Sequence, residues 1–245
     1  MERWFDSFLP EMIGIPSLMN LYVALQKIQE TCHNVFSLSQ TLELAENSSR
    51  KILKWLDRLS VLIGVAKAVH FLHTGVIPSS FSNRLKTSNI LLDEHNMAKL
   101  SDFGMSILME ESEKAKGDDV TSWYETLYSY ILHMTKKEDD VYNFGFILLE
   151  SLVGPSVSGK GEAFLMNEMA SFGSQDGRRR IVDPIVLATS SNESLSIVIS
   201  ITNKCISTES STRPSFEDVL WNLQYAAQVQ ATADADQKSD ATSPT

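Results

Sequence analysis

The string from Gly154 to Gly161, Gly-Pro-Ser-Val-Ser-Gly-Lys-Gly, comes close to the pattern of a loop that binds nucleotide phosphates. Such a loop needs Ser or Thr after its lysine, because that hydroxyl reaches the bound metal ion, and Gly161 occupies the position here. It also needs a strand before it, whereas the residues before Gly154 predict a helix. We therefore expect a solvent-exposed loop.

Other groups have suggestive residue types but lack the surroundings that a site requires. His70 and His73 could share a metal ion on one helix face, but no Cys or further His lies near them in sequence, so we expect packing residues. The basic run Arg178-Arg179-Arg180 follows Asp176-Gly177 and predicts a solvated turn. Hydroxyl side chains crowd residues 121–130, and their phosphorylation stays a hypothesis because no charge partner for a phosphate is evident.

The elements that must position any site are mostly helices. Apolar residues at helical spacing predict helices over Pro16–Thr31, Trp55–Thr74, Asp139–Val153, Leu195–Ile206 and Ser215–Gln230. Gly75 ends the second of these helices, and Ser215 with Asp218 has the spacing of a capping box. The sequence therefore predicts a mainly α-helical chain.

Short apolar runs interrupt this helical pattern. They predict strands over Ile90–Leu92 and Met97–Leu100, which the polar residues 93–96 join as a turn. Beyond the last predicted helix, the small and polar residues from Ala231 to Thr245 predict a disordered tail.

Composition and charge narrow the class of protein. Hydrophobic residues make up 43% and charged residues 21% of the 245 residues, which is typical of a soluble globular chain. The net charge of -10 disfavours nucleic acid and acidic membranes as partners, because both select clustered Lys and Arg. Cys32 and Cys205 show neither metal nor disulfide spacing, so we expect packed thiols in a reducing compartment. Without a run of about 20 apolar residues or a secretory signal, the chain is expected to be cytoplasmic and not to insert into a membrane.

A family resemblance rests on strings that follow one another in a fixed order. Residues 85–93 read Leu-Lys-Thr-Ser-Asn-Ile-Leu-Leu-Asp and are similar to the catalytic loop of plant receptor-like protein kinases and the strand after it. Residues 99–104, Lys-Leu-Ser-Asp-Phe-Gly, resemble the metal-binding triplet with its strand. Residues 140–145, 181–184 and 213–216 also resemble strings that these kinases carry in the same order. Residues 64–78 resemble the inactive branch of the leucine-rich-repeat receptor-like kinases.

The resemblance implies a fold and a domain organisation. Residues 42–230 would form a protein-kinase-like C-lobe, a helical bundle with a short β-hairpin, followed by the disordered tail over residues 231–245. Residues 1–41 do not resemble a kinase N-lobe and would contribute an N-terminal amphipathic helix, so the N-lobe is expected to be largely absent. The apolar face of that helix would then cover surface that an N-lobe covers in the family or, failing that, would dock on a partner that takes the N-lobe's place.

The resemblance also implies that the catalytic loop has degenerated. The family pattern H-R-D-L-K-x-x-N is read here with Ser82, Asn83 and Arg84 in its first positions, so that Arg84 stands at the catalytic Asp. Arg keeps its proton and has no lone pair to accept one, so it cannot act as the base. Asn83 removes the cation that would receive a phosphorylated activation segment. The sequence also has no A-P-E triplet before position 140, which would leave Arg213 without its family Glu partner.

The resemblance also implies that part of the family's site is retained. Lys86 and Asn89 keep their family identities in the loop, and Asn89 and Asp102 would be vestigial metal and cofactor ligands. The triplet continues with the vestigial residues Phe103 and Gly104. No Gly-rich loop and no strand lysine precede the kinase-like region, so we expect no bound metal or cofactor, although intact active relatives use ATP and Mg²⁺. A further hypothesis is that Arg84 pairs with Asp102 in place of the metal charge.

These observations predict a catalytically inactive signalling or scaffold module that binds other proteins, an active kinase or a receptor complex among them. Intact members of the family would sit at the plasma membrane with this domain on the cytoplasmic side. An active Ser/Thr kinase is the alternative from the enzyme class, and it would need Asp at position 84 and the missing phosphate clamp. A truncated gene product without an independent role is the other alternative.

Overall fold

Helices make up most of the structure, a computed structural model that describes residues 36–43, 52–74, 85–101, 137–155 and 159–241. The α-helices in chain order are α1 (Leu38–Glu43), α2 (Trp55–Thr74), α3 (Lys137–Val153), α4 (Glu162–Glu168), α5 (Gln175–Ile181), α6 (Pro184–Thr189), α7 (Asn192–Cys205) and α8 (Phe216–Ala241). The mainly helical class that the sequence predicts is confirmed. The predicted helix Pro16–Thr31 lies outside the described residues.

A small antiparallel sheet accompanies the helices. Its strands are β1 (Phe36–Ser37), β2 (Ile90–Leu92) and β3 (Ala98–Leu100), with β2 in the middle. Strands β2 and β3 are the predicted hairpin, in which Ile90 lies opposite Leu100. Strand β1 was not predicted, because a two-residue strand carries no periodic pattern, and it pairs Phe36 with Leu92.

The four predicted helices that fall within the described residues occur where the sequence places them, with small shifts at their ends. Helix α2 has its predicted bounds, and the predicted capping box of α8 is present, since the Asp218 N–H donates to Ser215 Oγ at 3.1 Å. Helix α7 begins earlier than predicted because Ser191 caps it, accepting a hydrogen bond from the Ser194 N–H at 3.2 Å. Polar caps rather than apolar periodicity therefore set where these helices begin.

The prediction that the chain is disordered from residue 231 onward is wrong for the described part of the tail. Helix α8 continues from the predicted end at Gln230 to Ala241, through residues that were expected to be disordered. Alternating alanines favour the helix, and no Gly or Pro occurs before Pro244 to stop it. The buried Gln230 side chain also fixes this part of α8, because its amide accepts from the Ser191 N–H at 2.7 Å and donates to Asp234 Oδ1 at 2.7 Å.

The predicted turn at the basic run Arg178-Arg179-Arg180 is also wrong. It lies in helix α5 rather than in a solvated turn, because Ser174 caps that helix by accepting from the Gly177 N–H at 3.0 Å. Arg178 donates to the Phe172 carbonyl at 2.7 Å and to Ser196 Oγ at 3.0 Å. This arginine therefore ties α5 to α7 instead of pointing into solvent.

Helices α2 and α8 pack antiparallel to each other at the centre of the core. At one end the His73 ring meets the Phe216 ring edge-on, with centroids 5.1 Å apart. At the other end Trp55 Nε1 donates to Ser194 Oγ at 2.8 Å, and that hydroxyl donates to the Ala226 carbonyl at 2.9 Å. Helix α3 joins the same core, where Gly145 lets α7 approach so closely that a Cβ would lie 2.5 Å from Ile206 Cγ2.

A buried ion pair holds the start of α2 against the end of α3. Arg58, whose side chain is 1% exposed, donates through Nη2 to Asp183 Oδ2 at 2.6 Å. Its other nitrogens donate to the carbonyls of Ser151, at 2.7 Å, and Leu53, at 3.1 Å. Because the charge is paired and its N–H groups are bonded, the guanidinium can stay inside the core.

Asp183 has two further tasks at this junction. Its other carboxylate oxygen caps α6 by accepting from the Ile185 N–H at 2.8 Å, and its own N–H donates to the Leu152 carbonyl at 2.9 Å. Gly154 ends α3 with a φ of +71°, and a Cβ there would lie 2.7 Å from Asp183 Oδ2. The carboxylate therefore fixes both the chain direction after α3 and the start of α6.

Arg58→Met should lower the free energy of unfolding by about 3–5 kcal/mol, because it leaves the buried Asp183 charge uncompensated. Arg58→Met combined with Asp183→Asn removes both charges and keeps the helix cap, so its loss should be smaller than that of the single variant. Urea unfolding monitored by circular dichroism measures both. Lys99→Met, which breaks the partly exposed Lys99–Asp93 pair, serves as the control and should cost under about 1 kcal/mol. A double variant as unstable as Arg58→Met would contradict this account.

Candidate functional site

A short turn of 3₁₀-helix holds the residues that the sequence singles out. It covers Thr87–Asn89 and lies between the buried side chains of Leu85 and Ile90. The Asn89 N–H donates to the Lys86 carbonyl at 2.9 Å, which closes the turn. The Lys86 side chain is exposed and that of Asn89 is partly exposed, so both are within reach of a molecule at the surface.

The turn is joined to the end of strand β3. The Asn89 carbonyl accepts hydrogen bonds from the Ser101 N–H at 2.8 Å and from Ser101 Oγ at 3.0 Å. These bonds extend the β2–β3 ladder past its last paired residues. The backbone at Ser101 is thereby fixed to the predicted loop residue Asn89. These two residues follow directly on the last pair of the predicted hairpin, Ile90 and Leu100.

Several predicted site residues lie outside the described part of the chain. They are Ser82, Asn83, Arg84, Asp102, Phe103 and Gly104. In sequence, Arg84 precedes the buried Leu85 and Asp102 follows Ser101, so the described residues approach the predicted site from both sides. The pairing of Arg84 with Asp102 stays a hypothesis, and the segment 121–130 also lies outside the described residues.

The turn between β2 and β3 is locked by its first residue. Asp93 Oδ1 accepts from the backbone N–H groups of His95 and Met97, both at 2.9 Å. Burial alone would raise the pKa of the Asp93 carboxyl, but these two bonds and the nearby Lys99 ammonium outweigh it and lower the pKa below the ordinary 3.8. An ionised Asp93 therefore fixes the hairpin that positions Asn89 and Ser101.

Glu150 on helix α3 supports the Thr87–Asn89 turn. This role of Glu150 was not predicted from the sequence. Thr87 Oγ1 donates to Glu150 Oε2 at 2.6 Å. Burial raises the pKa of Glu150, while the Thr87 hydrogen bond partly opposes that rise. A single glutamate in the mostly apolar second half of α3 was the available signal, although nothing in the sequence indicated that Thr87 was its partner.

His73 and Asp140 form a second buried polar contact between α2 and α3. His73 Nε2 lies 2.8 Å from Asp140 Oδ2, and both side chains are at most 5% exposed. The expectation that His73 packs in the core is confirmed, but its hydrogen bond was not predicted. The contact fixes the start of α3 to the end of α2, next to the chain that leads into the predicted site.

The sequence predicts that Arg213 lacks the glutamate it pairs with in the family. In the structure Arg213 has other partners. Its Nη1 donates to the Glu138 carbonyl at 2.9 Å and lies 3.4 Å from Asp139 Oδ1. Its guanidinium also lies 4.6 Å from the centroid of the Tyr142 ring. Because these partners all lie in the first turns of α3, Arg213 secures that helix to the segment before α8.

The remaining candidates have structural roles. Cys205 is buried, as predicted, and burial raises the pKa of its thiol to about 12, which makes it a poor nucleophile; Cys32 lies outside the described residues. In the glycine-containing string, Gly161 has a φ of +89° and the exposed Lys160 lies over the Phe164 ring at 4.6 Å. Lys160 therefore contacts a ring of its own chain.

Comparison with known proteins gives consistent matches. The model of the protein kinase domain family matches residues 11–223. A probable inactive leucine-rich repeat receptor-like protein kinase of Arabidopsis thaliana is 40% identical over 192 residues, which cover 76% of this chain and 23% of the relative. A probable LRR receptor-like serine/threonine-protein kinase of the same plant is 32% identical over 76% of this chain and 24% of its own length. The Arabidopsis receptor-like protein kinase ANXUR2 is 34% identical over 82% of this chain and 24% of its own length.

The matches also show how much of each relative this chain corresponds to. The chain spans about a quarter of the length of the relatives named. The family match begins at residue 11, within residues 1–41, and ends inside helix α8. The family thus extends over most of the chain, whereas most of each relative has no counterpart in it.

Glu150→Gln should become more stabilising relative to the unsubstituted protein as pH rises. A raised folded-state pKa means that Glu150 favours folding below its ordinary pKa of 4.5, and that this contribution is lost as pH rises through the folded-state value. Urea unfolding at pH 4 and at pH 7 measures the difference between the two proteins. Thr87→Val removes the hydrogen bond that lowers the pKa, so its stability should fall more steeply with rising pH. Parallel pH profiles for Glu150→Gln and the unsubstituted protein would contradict the assignment.

Proposed function

This chain belongs to the protein kinase domain family, and we propose that it is a catalytically inactive kinase domain of a receptor-like kinase, which acts in signalling by binding other proteins. The observation that carries the proposal is Arg84, which occupies the position of the family's catalytic Asp. The mainly helical architecture with its small sheet fits the kinase-like C-lobe that the sequence predicts.

The chemistry of phosphate transfer explains why Arg84 matters. In active kinases the catalytic Asp accepts the proton of the substrate hydroxyl and orients it toward the phosphate. Arg84 carries a permanent positive charge and five donors but no acceptor, so it can do neither. Loss of a general base alone costs about 10²–10⁴ in rate.

The residues that follow Arg84 are held by several contacts. Leu85 is buried, the Thr87–Asn89 turn is closed, and Glu150 and Ser101 hold it from two sides. These contacts give the chain a folded surface at this position without any catalytic base. Binding of a protein partner is the role that needs a surface and no base.

The residues that would hold ATP and Mg²⁺ fit those groups poorly. Mg²⁺ demands six oxygen ligands at near-octahedral geometry, and the family positions supply the amide of Asn89 and the carboxylate of Asp102. Substrate phosphates complete such a site in the family, and if Arg84 pairs with Asp102, as hypothesised from the sequence, that carboxylate is already neutralised by a guanidinium. We therefore infer that neither ATP nor Mg²⁺ is a resident cofactor.

Retention of Lys86, Asn89 and Asp102 favours one competing function, an active Ser/Thr kinase. These residues keep their family identities, and the relatives include one named as a serine/threonine-protein kinase. That function would need another group to replace the base at position 84.

The cellular setting is part of the same proposal. The relatives are named as receptor-like kinases, and from this we infer a place on the cytoplasmic side of the plasma membrane, next to an active kinase or a receptor complex. None of the helices among the described residues has both the length and the apolarity to cross a bilayer.

Purified protein comprising residues 1–245 should transfer no phosphate from labelled ATP to itself or to a generic protein substrate. Arg84→Asp should also stay inactive, because these residues contain neither a Gly-rich loop nor a strand lysine ahead of the kinase-like region. An active protein kinase in the same assay is the positive control, and boiled protein is the blank. Incorporation that grows with time above the boiled blank would overturn the proposal.

Millimolar ATP with Mg²⁺ should raise the melting temperature by less than about 1 °C, because a ligand stabilises the fold only in proportion to RT ln(1 + [L]/Kd). Differential scanning fluorimetry with ATP and Mg²⁺, with Mg²⁺ alone and with neither separates nucleotide binding from a salt effect. A rise of several degrees that requires both ATP and Mg²⁺ would show that a nucleotide site exists and would favour the active kinase.

A further inference from the structure

Helix α8 presents a line of exposed residues to solvent on the side away from the core. Trp221 is 68% exposed and Tyr225 is 52% exposed, although both are large aromatic side chains. They lie one helical turn apart and belong to a stripe of exposed residues at helical spacing, here called the aromatic stripe, which consists of Glu217, Trp221, Tyr225, Gln228, Thr232 and Asp236. The opposite face of α8 is buried in the core.

The charge along helix α8 is mainly negative. Five of its six charged residues are acidic, Lys238 being the sixth, and Glu217 and Asp236 stand near the two ends of the stripe. At 1.5 Å of rise per residue these two carboxylates are separated by about 28 Å along the helix. The whole chain carries a net charge of -10, so the stripe lies in a negative field.

Other surface rings of this chain already carry a cation. The Arg213 guanidinium lies 4.6 Å from the Tyr142 ring centroid, and the Lys160 ammonium lies 4.6 Å from that of Phe164. Within the described residues, no such cation lies over Trp221 or Tyr225. Trp and Tyr rings bind cations on their faces, most strongly where the contact excludes water.

We propose that the aromatic stripe is a docking surface for a basic, partly apolar segment of another protein. Arg or Lys side chains of that segment stack on Trp221 and Tyr225, and a further basic residue pairs with Glu217. The proposal names the chemistry of the partner for the binding role proposed above, and it rests on that role. A second copy of this chain does not suit the stripe, because two acidic stripes would face each other at like charge.

The test uses the full chain and a fluorescein-labelled synthetic peptide of 18 residues that has Arg and Leu on one helical face. Anisotropy titration gives its Kd at about 50 and about 200 mM salt, where screening differs. A second peptide with Glu in place of each Arg controls for apolar binding. We expect binding of the Arg peptide that weakens with salt, and no saturable binding of the Glu peptide.

Matched variants separate the stripe from the charge of the whole protein. Trp221→Ala combined with Tyr225→Ala should weaken the Kd for the Arg peptide at least about 10-fold, as expected for aromatic residues at the centre of an interface. Phe71→Ala, which removes a ring that is 53% exposed on helix α2, should leave the Kd within about 2-fold. Glu217→Gln should reduce the salt dependence of binding. Circular dichroism and thermal melting check that each variant is folded.

Three results would overturn the proposal. Equal affinity of the unsubstituted protein and the Trp221→Ala/Tyr225→Ala variant would show that the rings do not bind the peptide. Equal loss in Phe71→Ala would mean that any exposed ring serves. Concentration-dependent self-association that the double variant abolishes would assign the stripe to a second copy. The phosphate-transfer assay on the same preparations keeps the two ideas apart, since detectable transfer would remove the inactive-kinase proposal without changing the peptide affinities.

Discussion

The contact between Arg58 and Asp183 is the constraint on which the arrangement of the central helices depends. A guanidinium that is 1% exposed needs its charge paired and its nitrogens hydrogen-bonded, and here each nitrogen donates to one partner: the Ser151 carbonyl near the end of α3, the Leu53 carbonyl just before α2, and Asp183 at the start of α6. Close packing sets the spacing of these helices, and the paired charge adds a directional constraint to it. The buried pair therefore fixes the relative positions of the helices, and with them the platform that α3 provides to the loop at residues 85–89.

The predicted site depends on that platform through contacts that do not themselves bind substrate. From helix α3, Glu150 holds Thr87 and Asp140 holds His73, and from the end of strand β3 Ser101 holds Asn89. Such supporting contacts fix the backbone at residues 87–89 and at Ser101 and involve no catalytic base. The protein-binding role proposed for this chain needs such a folded surface and no base.

Sequence reasoning succeeded where periodic patterns and local caps determine structure. It placed α2 at its observed bounds, the β2–β3 hairpin and the capping box of α8, because each depends on residues close together in the chain. It missed Arg58–Asp183 and Thr87–Glu150, because those partners are separated by 125 and 63 residues and no local pattern links them. It also ended α8 too early, since the bond from Gln230 to Ser191 that fixes the last turns is equally non-local. Partner choice over long separations is the information that a single sequence does not display.

That long separation has a consequence for how the protein reaches its fold during synthesis. At about 5–20 residues per second, the ribosome needs on the order of 10 s to go from Arg58 to Asp183, and these two residues lie 125 positions apart. Throughout that interval the residues of helix α2 have neither their carboxylate partner nor helix α8 to cover the apolar face. Asp183 and α8 must both be synthesised before that face can be buried, so a transient exposure of apolar surface, which invites chaperone binding, follows from the order of synthesis.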